Sequence, residues 1–91
     1  MLRISESETG NGHVLLKLEG RVIGPWVSEL QRASGRILDA SRILKLDLAD
    51  VSYIDRDGVR LLLALQREGV VFQSASPFVL EELREASTAK S

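Results

Sequence analysis

Cysteine is absent from the chain, which removes disulfides, thiolate metal ligands and thiol nucleophiles together. Aromatic residues are few. Trp26, Tyr53, Phe72 and Phe78 are the complete set, too sparse for a platform that stacks single-stranded nucleic acid. Neither sign of charge dominates: 12 basic against 13 acidic side chains leave a formal charge of −1, with no electrostatic footprint for a nucleic-acid backbone or an anionic lipid surface. Long apolar runs are also missing. The longest aliphatic stretch, Leu61 to Leu65, is far too short to cross a bilayer, and the opening Met1-Leu2-Arg3-Ile4-Ser5-Glu6 has no apolar core of signal-peptide length. A cytoplasmic location without membrane insertion is the resulting expectation. The single histidine, His13, falls in a predicted turn with no partnered nucleophile or second ligand nearby, so it reads as a solvated turn residue rather than a catalyst.

What remains is an aliphatic-rich chain of 91 residues, enough for one domain, residues 1–91, around one core. A domain of this size hides roughly 60 to 70% of the surface that its unfolded chain exposes, so it needs no metal or disulfide to hold it. Leu2 to Glu8 alternates weakly, and Thr9-Gly10-Asn11-Gly12 is a turn signature tolerant of positive φ, which together predict a hairpin. Val14 to Leu18 is a nearly continuous apolar run, expected as a strand covered on both faces and closed by Gly20. Gly24-Pro25 opens a helix in which Trp26, Leu30, Ala33 and Ile37 recur at three- and four-residue steps; Trp26 reads as sealing a core edge. Ile43 to Leu48 is the clearest strand, with Lys45 and Asp47 sharing one face. Ala49 to Gly58 reads as a polar connection. A buried helix over Val59 to Glu68 follows, ending at Gly69, and then a strand over Val70 to Gln73. Ser76-Pro77 is an N-cap followed by proline at the first helical position, opening a third helix with Val79, Leu80, Leu83 and Ala86 as its apolar stripe, and residues 87–91 read as a frayed tail. The order strand, strand, helix, strand, helix, strand, helix predicts an α/β fold. Its sheet is four-stranded, mixed and mostly parallel, with helices packed against it.

The segment that carries chemistry is Leu46-Asp47-Leu48-Ala49-Asp50-Val51-Ser52-Tyr53-Ile54-Asp55-Arg56-Asp57-Gly58-Val59-Arg60-Leu61-Leu62. It resembles the signature of STAS domains, in which an aliphatic strand ending in Asp runs through a hydroxyl and an aromatic to Asp-Ser-Ser/Thr-Gly at the start of a Leu-rich helix. Leu18-Glu19-Gly20-Arg21 is similar to the family's Leu-x-Gly, and Ser74-Ala75-Ser76-Pro77 likewise precedes a Leu-rich helix, so the resemblance covers nearly the whole chain without the closing elements of longer members. It implies a non-catalytic protein–protein interaction module built like the anti-sigma factor antagonists. An anti-sigma factor or serine kinase is the implied partner, no cofactor is required, and self-association is an alternative left open. The docking corner expected from it comprises Tyr53, Asp55, Arg56, Asp57, Gly58 and Arg60, with Arg67 further along the same helix.

One departure bears on regulation. The family's phosphorylated serine is replaced by Arg56, and its neighbouring hydroxyl position by Asp57. A phosphoryl group would add about −1.5 to −2 charges, whereas these two side chains nearly cancel, so neither phosphorylation state is imitated. No phosphorylation is expected at this corner, and Ser52 is the nearby hydroxyl. Asp57 is expected to cap the second helix and Asp55 to brace the connection.

Two readings of other kinds compete. One is a STAS subunit of a larger, transporter-type assembly. The other notes that Tyr53 to Val59 also resembles the first motif of haloacid-dehalogenase-type phosphatases, with Asp55 as nucleophile and Asp57 as general acid. That chemistry needs Mg²⁺ held by further carboxylates and a lysine to balance charge. Downstream of Gly58 the chain offers only Glu68, Glu81, Glu82, Glu85 and Lys90, which makes a magnesium cage implausible. A calcium loop centred on Gly58 fails because Tyr53 and Ala64 would occupy its end ligand positions. No metal site is expected.

Overall fold

The computed structural model describes residues 1–89. Its elements are β1 (Leu2–Gly10), β2 (His13–Val22), α1 (Pro25–Asp39), β3 (Ile43–Ile54), α2 (Arg56–Arg67), β4 (Val71–Ala75) and α3 (Pro77–Ala89). The four strands form one sheet in sequence order, with β1–β2 antiparallel and the β2–β3 and β3–β4 pairs parallel. The α/β class, the element order and the mixed sheet are those read from the sequence. The β1–β2 hairpin turns on Asn11-Gly12, whose φ values of 33° and 81° are both positive, the conformation for which Asn-Gly is favoured.

The core lies between one face of the sheet and the three helices. Val14, Leu16 and Leu18 of β2 and Leu44, Leu46 and Leu48 of β3 are buried there with Leu30 and Ile37 of α1, Leu62 and Leu65 of α2, and Val79 and Leu83 of α3. The alternating residues Lys17 and Ile43 are exposed, and Leu15, Lys45 and Asp47 are half-buried. Strand β2 is thus covered on one face only, contrary to the expectation from its apolar run, because all three helices gather on the same side. The helix α2 is likewise amphipathic rather than buried all round, with Ala64 and Gln66 exposed.

The largest difference from the sequence reading concerns strand length. Gly20 does not close β2, and residues 49–54 are not a loop. Both strands continue, pairing Glu19 with Asp50, Gly20 with Val51, Arg21 with Tyr53 and Val22 with Ile54, with an irregularity between Gly20 and Arg21. Buried Val22, Val51 and Ile54 give this extension an apolar face. Gly20 is needed because its φ is 110° and a Cβ would lie 2.4 Å from the Met1 carbonyl oxygen, the acceptor for the Arg21 N–H. The connection to α2 shrinks to Asp55 alone.

The helix ends follow local rules. Past α2, the Gly69 N–H donates to the Gln66 carbonyl and the Val70 N–H to the Leu65 carbonyl, a Schellman closure in which Gly69 takes φ 94° as expected. Past α1 the same pair of bonds, Ser41 to Leu38 and Arg42 to Ile37, forces Ser41 to φ 61°. In α3 the buried stripe is Val79, Leu83 and half-buried Ala86, and Leu80, expected within it, is exposed. Residues 87–89 of the expected tail belong to α3, and residues 90–91 lie outside the described residues. Among the described residues no helix is long and apolar enough to cross a membrane.

Candidate functional site

The parallel strands β2 and β3 end side by side, and α1 and α2 both begin there. Asp55, in extended conformation one residue past β3, joins these four ends. Its main-chain N–H donates to the Val22 carbonyl at 3.2 Å. Its Oδ1 accepts from the Gly58 N–H at 2.8 Å, and its Oδ2 accepts from the Gly24 N–H at 3.0 Å. One carboxylate therefore satisfies main-chain donors at the amino ends of two helices, where a negative charge also complements the helix dipoles. This corrects the assignment made from sequence. Asp55, not Asp57, caps α2, because the extension of β3 leaves Asp55 as the last non-helical residue. Asp57 lies in the first helical turn, exposed, with its carboxylate 3.7 Å from Arg60.

Gly58 is the second fixed point. A Cβ there would come within 2.7 Å of the Val22 carbonyl oxygen and 2.8 Å of Ile54 Cγ1. The lack of a side chain lets α2 start directly against the end of β2. Two hydroxyls fasten the surroundings. The Ser52 Oγ donates to the Gly20 carbonyl at 3.2 Å; the Ser76 Oγ donates to the Val51 carbonyl at 3.2 Å and accepts from the Val79 N–H at 3.4 Å, capping α3 as its sequence predicts.

Tyr53 projects from the last turnless stretch of β3 and is 49% exposed. Its ring stacks on Phe78 of α3, with centroids 5.8 Å apart and planes 24° apart. Such a pair is worth about 0.5–1.5 kcal/mol beyond its buried area. Arg56 is exposed at the first position of α2. Open grooves of about 410 and 400 Å³ flank that helix. The first, toward α1, is lined by Ser28, Gln31, Asp57, Arg60 and Leu61. The second, toward α3, is lined by Tyr53, Arg56, Val59, Glu82, Glu85 and Ala86.

The sequence-predicted residues Tyr53, Asp55, Arg56, Asp57, Gly58 and Arg60 thus meet at one corner, in different roles. Gly58 is buried and Asp55 half-buried, so both shape the corner, whereas Tyr53, Arg56, Asp57 and Arg60 are presented to solvent. Arg67 stands at the far end of α2. His13 is the half-buried first residue of β2, paired with Ile43, and Trp26 packs half-buried against the core. Phe78, Glu82 and Glu85 were missed by sequence reasoning. Their signal was weak but present, since Phe78 falls off the Val79–Leu83–Ala86 stripe and Glu82 and Glu85 share a helix face at i, i+3.

No family model and no curated protein matches this chain. Among solved structures, it is similar to the crystal structure of Mglu in its native form, at 27% sequence identity and a TM-score of 0.44. The match covers 79% of this chain, which spans only 23% of that one.

Proposed function

We propose that this chain is a non-catalytic, cytosolic protein–protein interaction module of STAS type, a regulator similar to the anti-sigma factor antagonists but without their phosphorylatable serine. The observation that carries the reading is the solvent-facing Tyr53–Phe78 ring pair on a corner whose backbone is tied by Asp55 to two helices and two strands. Rigid, partly exposed aromatics with a neighbouring arginine are the residue types that dominate binding energy at protein interfaces, and a pre-organised backbone lowers the entropy lost on docking. The resemblance of residues 46–62 to the STAS signature supports the same corner.

The two aspartates have structural employment in this reading. Both oxygens of Asp55 accept main-chain N–H bonds, and the Asp57 carboxylate faces Arg60. Arg56 carries no hydroxyl, so a partner serine kinase docks here without transferring phosphate. Ser52 does not replace the lost acceptor: it sits four residues earlier on a strand, with its hydroxyl turned to the Gly20 carbonyl, and a shift of that many residues moves a group by on the order of 10 Å.

The decisive experiment is pull-down with the intact chain against purified anti-sigma factors and their serine kinases, comparing wild type with Tyr53→Ala. Retention that Tyr53→Ala abolishes supports docking at this corner. Phosphopeptide mass spectrometry after incubation with the retained kinase is expected to find residues 55–58 unmodified. Retention indifferent to Tyr53, or magnesium-dependent phosphatase turnover lost in Asp55→Asn, overturns the reading.

A further inference from the structure

We infer that the groove between α2 and α3 receives a cationic amphipathic segment of the partner, an arginine- or lysine-bearing helix laid beside the Tyr53–Phe78 pair. This deepens the docking role proposed above and rests on it. The lining of the groove includes the apolar residues Ile54, Val59 and Ala86, and it holds three carboxylates, Asp55, Glu82 and Glu85, against one guanidinium, that of Arg56. Asp55 is occupied by the two helix ends, but among the described residues Glu82 and Glu85 have no ion-pair partner. The neighbouring Glu81, by contrast, is engaged by Arg84 at 3.7 Å. Two like charges at i, i+3 repel and mildly destabilise α3 on its own, so their placement along an apolar groove fits a partner that brings the opposite charge.

Tyr53, which lines the groove and stacks on Phe78, favours the same sign. A guanidinium within about 6 Å of the Tyr53 or Phe78 ring gains a cation–π attraction that Glu or Asp does not. From Phe78 to Glu85 is seven residues, about 10 Å along α3, which matches two turns of a docked helix. An anionic phosphopeptide or membrane headgroup meets the glutamates instead and is disfavoured.

The test uses the intact protein and two fluorescein-labelled helical peptides, each with leucine on one face, one carrying arginine and the other glutamate on the opposite face, read by fluorescence anisotropy. The arginine peptide is expected to bind, and the glutamate peptide not. Glu82→Lys/Glu85→Lys is expected to weaken arginine-peptide binding about tenfold or more, and the gentler Glu82→Gln/Glu85→Gln about threefold, since each exposed pair contributes a fraction of a kcal/mol. A control with the same charge change away from the groove, Glu29→Lys/Glu68→Lys, is expected to stay within about twofold. Equal loss in the control, equal binding of both peptides, or no effect of either groove variant overturns the inference. Hydrogen-exchange footprinting with the native partner separates the two levels. Protection over residues 53–59 and 78–86 by an acidic or uncharged segment ends the cationic assignment while leaving the docking corner intact. Protection elsewhere ends both.

Discussion

Replacing Gly58 by alanine tests whether the corner is fixed by close packing. Both Gly58 and Gly35 lie within helices, where alanine is favoured over glycine by up to about 1 kcal/mol. Their surroundings differ. A Cβ on Gly35 meets nothing within 4 Å, so Gly35→Ala is expected to stabilise the protein by about 0.5–1 kcal/mol. A Cβ on Gly58 meets the Val22 carbonyl oxygen at 2.7 Å, Ile54 Cγ1 at 2.8 Å and Val22 Cγ1 at 3.1 Å, where ordinary contact begins at 3.4 Å. The side-chain atoms can rotate away. The carbonyl cannot recede easily, because it ends a paired strand and accepts the Asp55 N–H at 3.2 Å. The start of α2 must then move by about 0.7 Å, the difference between those contact distances, which also stretches the 2.8 Å bond from Gly58 to Asp55. Overpacking costs about 1–3 kcal/mol, and a clash with main chain belongs in the upper half of that range, about 2–3 kcal/mol; after the helix-propensity gain of up to about 1 kcal/mol, a net loss of about 1–2 kcal/mol remains. For a domain of this size that lowers Tm by about 4–16 °C, measurable by circular dichroism and checked by urea unfolding. If Gly58→Ala is neutral, or rises in Tm alongside Gly35→Ala, the tight approach of α2 to β2 is wrong.

Three further outcomes are expected. Asp55→Ala removes a cap and the tie to Gly24, and should cost about 2–3 kcal/mol in urea unfolding, whereas Asp57→Ala, which breaks only an exposed i, i+3 pair, should stay within about 0.5 kcal/mol; equal losses would restore Asp57 as the cap. Ser41→Gly relieves the positive φ at the end of α1 and should raise stability by about 0.5–1 kcal/mol, against the usual sign for a glycine substitution; a drop in Tm would refute that backbone conformation. Tyr53→Ala should lower stability by no more than about 1.5 kcal/mol because the ring is half exposed, while abolishing retention of a partner; a larger loss on unfolding would assign Tyr53 to the core rather than to the surface.

Local chemistry was written plainly in the chain. Asn11-Gly12 specified the hairpin, Ser76-Pro77 the start of α3, Gly69 the end of α2, and the helical spacing of Leu30 and Ile37 in α1 and of Val79 and Leu83 in α3 their buried stripes, because each depends on neighbours a few positions away. The corner itself was located by its aspartates and glycine but misassembled. Asp50 to Ile54 reads as a polar loop when taken alone, and becomes strand only because β2 runs on past Gly20 to offer it hydrogen-bond partners. That pairing, between residues about thirty positions apart, moves the helix start and with it the cap, from Asp57 to Asp55.

Composition and periodicity by themselves determined the element types, their order and the class of fold, since hydrophobic spacing and turn chemistry are properties of short segments. Which face of β2 is covered, why a side chain at Gly58 is costly, and that Phe78, Glu82 and Glu85 stand beside Tyr53 were decided only when the chain folded back on itself. Those are contacts between distant segments, and no local preference encodes the distance across which two strands and two helices come together.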